Sequence, residues 1–245
     1  VSHGDFVSAA AGGFRRPLVR FSAIGEGWEF FKARWGTWVL TGLLVLFLNG
    51  VIYTVVGAFF GKPLPQGVGF RLEVPPAGRF VEAVLAAVLN GFLLGGMFRM
   101  ACRQVRGYRI SVTDLFGITD VFTELAIGSA IYGGACCLLA PFGLIPAFIL
   151  AGVWMFTIPL IVDARLTALE AIRRSWRTLK GEWIGATLFH FVAYAIVGIG
   201  ACCVCVGLML TMPLYCLSIS VLYRDAYLTK SASPFIKPNV PDPDF

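Results

Sequence analysis

Charge is what this chain lacks. Only 14% of its 245 residues are Asp, Glu, Lys or Arg, against about 25% in an ordinary soluble domain. The shortage is local. Residues 36–61, 83–98, 125–162 and 184–223 contain none of the four. One soluble core in so short a chain could not bury all of these stretches. About 20 apolar residues cross the hydrocarbon layer as a helix, and a helix satisfies its own backbone groups there. A soluble fold is excluded, and an all-α polytopic membrane helix bundle is expected.

Other absences bear on chemistry. The chain has two histidines, His3 and His190. It has no G-x-S-x-G elbow, phosphate loop, HExxH helix or C-x-x-C-H motif. A nucleotide-binding or dehydrogenase-like reading therefore finds no support. Within the expected spans Asp, Glu, Lys and Arg occur only at the ends, as Glu82, Arg99 and Glu124, and none lies near the midplane, where transporters often place one. Residues 1–20 contain Arg15, Arg16, Pro17 and Arg20 without a compact apolar core. No cleavable signal peptide is expected there.

What is present is a ladder of apolar runs. Their lengths and breakers predict six spans in three hairpins, at about 36–59, 81–99, 124–140, 144–162, 184–204 and 209–223. Pro141–Gly143 marks one hairpin tip and Gly207 another. Pro159 is expected to kink the fourth span or mark its end, and Pro213 to sit near the start of the sixth. Asn49 and Asn90 are intramembrane amides of the kind that hydrogen-bond across helices. The connector 61–79 reads as an irregular loop. Residues 1–21 form an N-terminal tail, 22–228 a single membrane domain and 229–245 a flexible tail.

Two segments read as interfacial helices. In 22–35, capped by Ser22, the residues Ile24, Trp28, Phe31 and Trp35 share one side. In 163–180, capped by Asp163, Leu166, Leu169, Ile172, Trp176 and Leu179 form an apolar stripe. Opposite it stand Arg165, Arg173, Arg174, Arg177 and Lys180, placed to meet lipid phosphates or a partner. Pro159, Asp163, Trp176 and Trp183 are expected to be structural. A short capped turn is predicted at Ser111–Asp114. Counting Lys and Arg by side gives 17 in 1–35, 99–123, 163–183 and 224–245, against three in Lys62, Arg71 and Arg79. The positive-inside rule then puts both termini in the cytoplasm of a bacterial inner membrane. The net charge of +6 is read as lipid-directed; nucleic acid is not expected as a partner.

Three pieces carry a family resemblance. The first is Gly95–Gly96, Arg106–Gly107 and Asp114–Leu115–Phe116. The second runs Pro159–Leu160–Ile161–Val162–Asp163, then Ala168, Glu170–Ala171–Ile172, Ser175–Trp176, Lys180–Gly181 and Trp183. The third is Pro213 followed by Tyr223–Arg224–Asp225–Ala226–Tyr227. In order and separation they resemble the YciC-like family of bacterial inner-membrane proteins and the membrane domain attached to some glycerophosphodiester phosphodiesterases. The resemblance covers most of 22–228. It implies a membrane bundle and carries no catalytic residues, because the phosphodiesterase activity belongs to a separate soluble domain.

Seven cysteines include two groups expected at similar depth, Cys136 and Cys137, and Cys202, Cys203 and Cys205. Small-residue packing is preferred, with a disulfide and metal or redox chemistry as the alternatives; against a metal, no His accompanies the thiols and their spacing is not a zinc pattern. No metal site and no cofactor are expected. His190, the lone intramembrane imidazole, is at most a weak candidate for ligating haem or a pigment. The leading expectation is a non-enzymatic membrane protein serving as a structural, assembly or accessory subunit, with phospholipids and other subunits as partners. The alternative is a transporter or lipid-handling protein. A cavity reaching Asn49 or Asn90 would favour that alternative.

Overall fold

The computed structural model describes residues 18–59, 76–202 and 204–228. These residues form an all-α bundle in which six helices are long and apolar enough to cross a membrane. Along the chain run α1 (Ser22–Ala33), α2 (Trp35–Phe59), α3 (Pro76–Val105), α4 (Phe122–Leu139), α5 (Leu144–Val153), α6 (Thr157–Ala164), α7 (Ala168–Leu179), α8 (Trp183–Cys202) and α9 (Val204–Tyr223). A π turn, Arg224–Leu228, follows α9, and short 3-10 turns join α3 to α4. The tail segments 1–17 and 229–245 and most of the connector, 60–75, lie outside the described residues.

Both surface helices pack on the bundle largely through small residues and leave much of the apolar stripe outside. In α1 the buried residues are Ala23, Gly27 and Phe31, while Trp28 and Trp35 stay exposed. Gly27 is needed for close approach, since a Cβ there would lie 2.9 Å from Ser218 Oγ on α9. Ser22 is not the cap. It is the first helical residue, and its hydroxyl accepts from Arg20 Nη1 at 3.1 Å. In α7 the buried line is Ala168, Ala171, Ser175 and Leu179, with Leu169 and Trp176 about half exposed. Small residues win the buried face because, with lipid as the alternative environment, close packing rather than hydropathy selects it.

The fourth span is two helices. Trp154–Phe156 form a turn between α5 and α6, so the break precedes Pro159. Pro159 itself sits in the first turn of α6, where a missing N–H costs little. Ser175 of α7 closes the break: its hydroxyl donates to the Val153 carbonyl at 2.8 Å and accepts from Phe156 N at 3.3 Å. Two further boundaries move. Pro76 already begins α3, and Gly207 lies inside α9 rather than at the turn. Pro213 falls in the middle of α9, where the packed neighbours α1, α2, α3 and α8 hold the helix together. The Pro141 tip is as expected, a 3-10 turn at Ala140–Phe142 followed by Gly143.

Candidate functional site

Two features meet in the α5–α7 region, an ionic rim at one end of the bundle and a cavity within it. The rim gathers the segments that the charge count assigns to one side. Arg20 pairs with Glu26 and with Asp225, the latter at 2.6 Å, and Arg224 reaches Glu26 at 3.0 Å. These bonds clip the start of α1 to the π turn. The Arg20 hydrogen bond, seconded by Arg224, holds the Glu26 carboxyl below its ordinary range, and burial only partly opposes it. Glu182 accepts from the backbone N–H groups of Leu18 and Val19, each at 3.1 Å.

Asp163 is a rim residue, not a cap. It closes α6, pairs with Arg106, and accepts from Tyr223 Oη at 2.8 Å. The chain then turns sharply at Arg165, whose φ of 53° is left-handed. The real cap of α7 is Thr167, accepting from Glu170 N at 3.4 Å, while Glu124 accepts from Ala168 N at 2.8 Å. Both partners are favoured at a helix N-terminus.

The five basic candidates divide. Arg165 pairs with Asp120 at 3.0 Å. Arg174 lies over the Tyr227 ring, 5.7 Å from its centroid. Arg173, Arg177 and Lys180 are exposed. By helical rotation, Arg173 and Lys180 follow next after the outward Leu169 and Trp176. That order, from small packed residues through apolar to basic, suits a helix at a bilayer surface. Trp183 is 45% exposed. Cys136 and Cys137 are half-buried free thiols and Cys202 is an exposed one; Cys203 and the Cys205 side chain lie outside the described residues.

The cavity measures about 200 Å³. The α5–α6 break and one close helix contact create it. Gly152 of α5 sits against Thr187 of α8, where a Cβ would meet Thr187 Cα at 2.6 Å. His190, three residues later on α8, then falls on the cavity wall, and the break delivers Thr157 from the start of α6. Asn90 of α3, Ser129 and Tyr132 of α4, Tyr215 of α9 and Trp154 of the α5–α6 turn add to the polar part of the lining, and among the described residues no Asp, Glu, Lys or Arg borders it. Thr157 and His190 are 7% and 5% exposed, and among the described residues Thr157 Oγ1 and His190 Nδ1 have no hydrogen-bond partner. Rings enclose the imidazole: Tyr194 stacks on it at 6.3 Å, and Tyr215 meets it edge-on at 5.8 Å. Tyr132 lines the cavity and is itself 39% exposed.

Of the intramembrane polar residues singled out in the sequence, Asn90 and His190 reach this cavity. Asn49 does not; its amide donates to Val45 O of its own helix at 3.1 Å. Thr157, Ser129, Tyr132 and Tyr215 were not singled out. For Thr157 the available signal was a hydroxyl two residues before Pro159 inside an overlong apolar run. Among the described residues no group of three or more His, Cys, Asp or Glu is placed to hold a metal.

The fold defines a multi-pass membrane protein of the all-α class. Comparison of the chain with protein families, with curated proteins and with solved structures finds no match.

Proposed function

We propose that this protein binds a small uncharged amphiphile drawn from the lipid and handles it within the bundle, as a transporter or lipid-handling protein does. One observation carries the reading. A cavity in the apolar interior is lined by the polar side chains of Asn90, Ser129, Thr157 and His190, contributed by four different helices. A buried polar group left without a partner costs about 1–3 kcal/mol, so polar side chains around an apolar cavity favour a ligand that carries polar groups of its own. An ion does not suit the site, since among the described residues no charged side chain lines it.

The remaining features fit a bacterial cytoplasmic membrane with both termini inside. The rim and the basic outer face of α7 then meet anionic headgroups. Kinship with the YciC-like family agrees with Ser175, Asp163 and Tyr223, three residues of the shared pieces, having central packing roles.

The test is purification from native membranes into nanodiscs, with mass spectrometry of everything retained. A small uncharged lipid-soluble molecule is expected with the wild type and is lost from Thr157→Val. Stoichiometric retention of another subunit, with no small molecule, would return the reading to an accessory subunit. Reporter fusions at each terminus check the orientation, and an external location for either refutes it.

A further inference from the structure

Resting on the reading of the cavity as a ligand site, we infer that its ligand is a single flat ring bearing hydrogen-bonding oxygens at separate points of its edge, the chemistry of a membrane quinone head group. Size is the first constraint. An apolar cavity of about 150 Å³ holds one benzene, so about 200 Å³ admits one substituted ring. A tetrapyrrole is too large to be held inside it.

Charge is the second constraint. A wall without Asp, Glu, Lys or Arg among the described residues gives no counter-ion to a carboxylate, phosphate or ammonium, and an unpaired charge in this setting is prohibitive. The third is the placing of polar atoms. Two polar lining residues come from different helices, Thr157 from α6 and His190 from α8. A hydroxyl and a neutral imidazole can each donate or accept. The pair can therefore donate to quinone carbonyls or accept from quinol hydroxyls. An alkanol, with one oxygen at the end of a chain, offers a single polar point. The fourth is the wall itself. Phe98, Trp154, Tyr132 and Tyr215 supply ring faces and edges suited to a flat partner.

The experiment uses the full chain in nanodiscs with three probes of equal tail length: decylubiquinone, decylbenzene and decanol. Thermal unfolding is followed against probe concentration for the wild type, Thr157→Val and His190→Asn. The expected result is a saturable rise in melting temperature with decylubiquinone, shifted to at least tenfold higher concentration by Thr157→Val, with little effect of the other two. His190→Asn retains a polar side chain and serves as the second variant. If either variant fails to fold, the other decides. If decylbenzene stabilises as well as the quinone, the ring oxygens are not read and the quinone assignment is overturned. If decanol alone shows variant-dependent binding, the quinone assignment falls while the cavity remains a ligand site. If no probe has a saturable effect in the wild type, both the assignment and the ligand-site reading fail, and the cavity holds water alone.

Discussion

Ser175→Ala is the sharpest perturbation available, because it removes one oxygen and nothing else of consequence. Ser175 is fully buried. Its hydroxyl is the bridge across the α5–α6 break, donating to Val153 O at 2.8 Å and accepting from Phe156 N at 3.3 Å. Alanine keeps the small contact face of α7, so packing changes little. The loss is two hydrogen bonds at buried backbone groups that the broken helix cannot satisfy itself. Leaving a buried group unsatisfied costs about 1–3 kcal/mol. The longer 3.3 Å bond belongs at the low end of that range, so the sum is about 2–4 kcal/mol. Denaturant unfolding in one detergent, monitored by tryptophan fluorescence, measures it. Arg173→Ala, an exposed change on the same helix, is the control and should stay within about 0.5 kcal/mol. A Ser175→Ala protein as stable as that control would show that the break is not held by α7, and the account of the fourth span would fail.

Thr157→Val should act in opposite senses on two readouts. Without ligand it removes an unpartnered buried hydroxyl at constant shape, so stability should hold or rise by about 1 kcal/mol; a loss of 2 kcal/mol or more in denaturant melts would mean the hydroxyl has a partner. Glu26 is held below the ordinary glutamate range by Arg20 and Arg224. A depressed carboxyl contributes stability that is fully present above its unfolded pKa, about 4.3, and is lost as pH falls through its lower folded value. The advantage of wild type over Glu26→Gln should therefore be flat from pH 7 to about 5 and shrink below about pH 4; an advantage that grows on acidification would contradict this. Gly152→Ala places a Cβ 2.6 Å from Thr187 Cα, backbone against backbone. It should cost about 1–3 kcal/mol in the same melts, and an unchanged midpoint would mean α5 and α8 are not in close contact.

The architecture was legible in the sequence because lipid imposes it directly. Four charge-free stretches and their proline and glycine breakers translate into span number, the hairpin tip at Pro141–Gly143 and a charged end with little help from tertiary contacts. The rim followed from the same logic: residues 18–26, 99–124, 163–183 and 224–228 do meet at one end, joined by pairs such as Arg20–Asp225 and Arg99–Asp120. The cap of α7 was misplaced for a local reason. Asp163 and Thr167 are both good caps by type, and only the left-handed turn at Arg165 moves the helix start past the first to the second.

The buried faces and the cavity were hidden for a deeper reason. Periodicity arguments assume that large apolar residues point inward, which holds when water is outside. With lipid outside, Trp28, Leu169 and Trp176 lose nothing by facing out, whereas a helix gains contact only where side chains are small enough to let backbones meet. The informative residues on α1 and α7 were therefore Gly27, Ala168, Ala171 and Ser175, not the aromatic stripe. The cavity follows the same rule. Gly152 lets α5 approach α8, the chain breaks two residues later at Trp154–Phe156, and Ser175 binds the freed backbone groups. Thr157 is the next residue after the break. The contact that tightens the bundle at Gly152, the break it accompanies and the unpartnered hydroxyl at Thr157 are consecutive features of six residues. A cavity there is the geometric remainder of close packing one turn earlier.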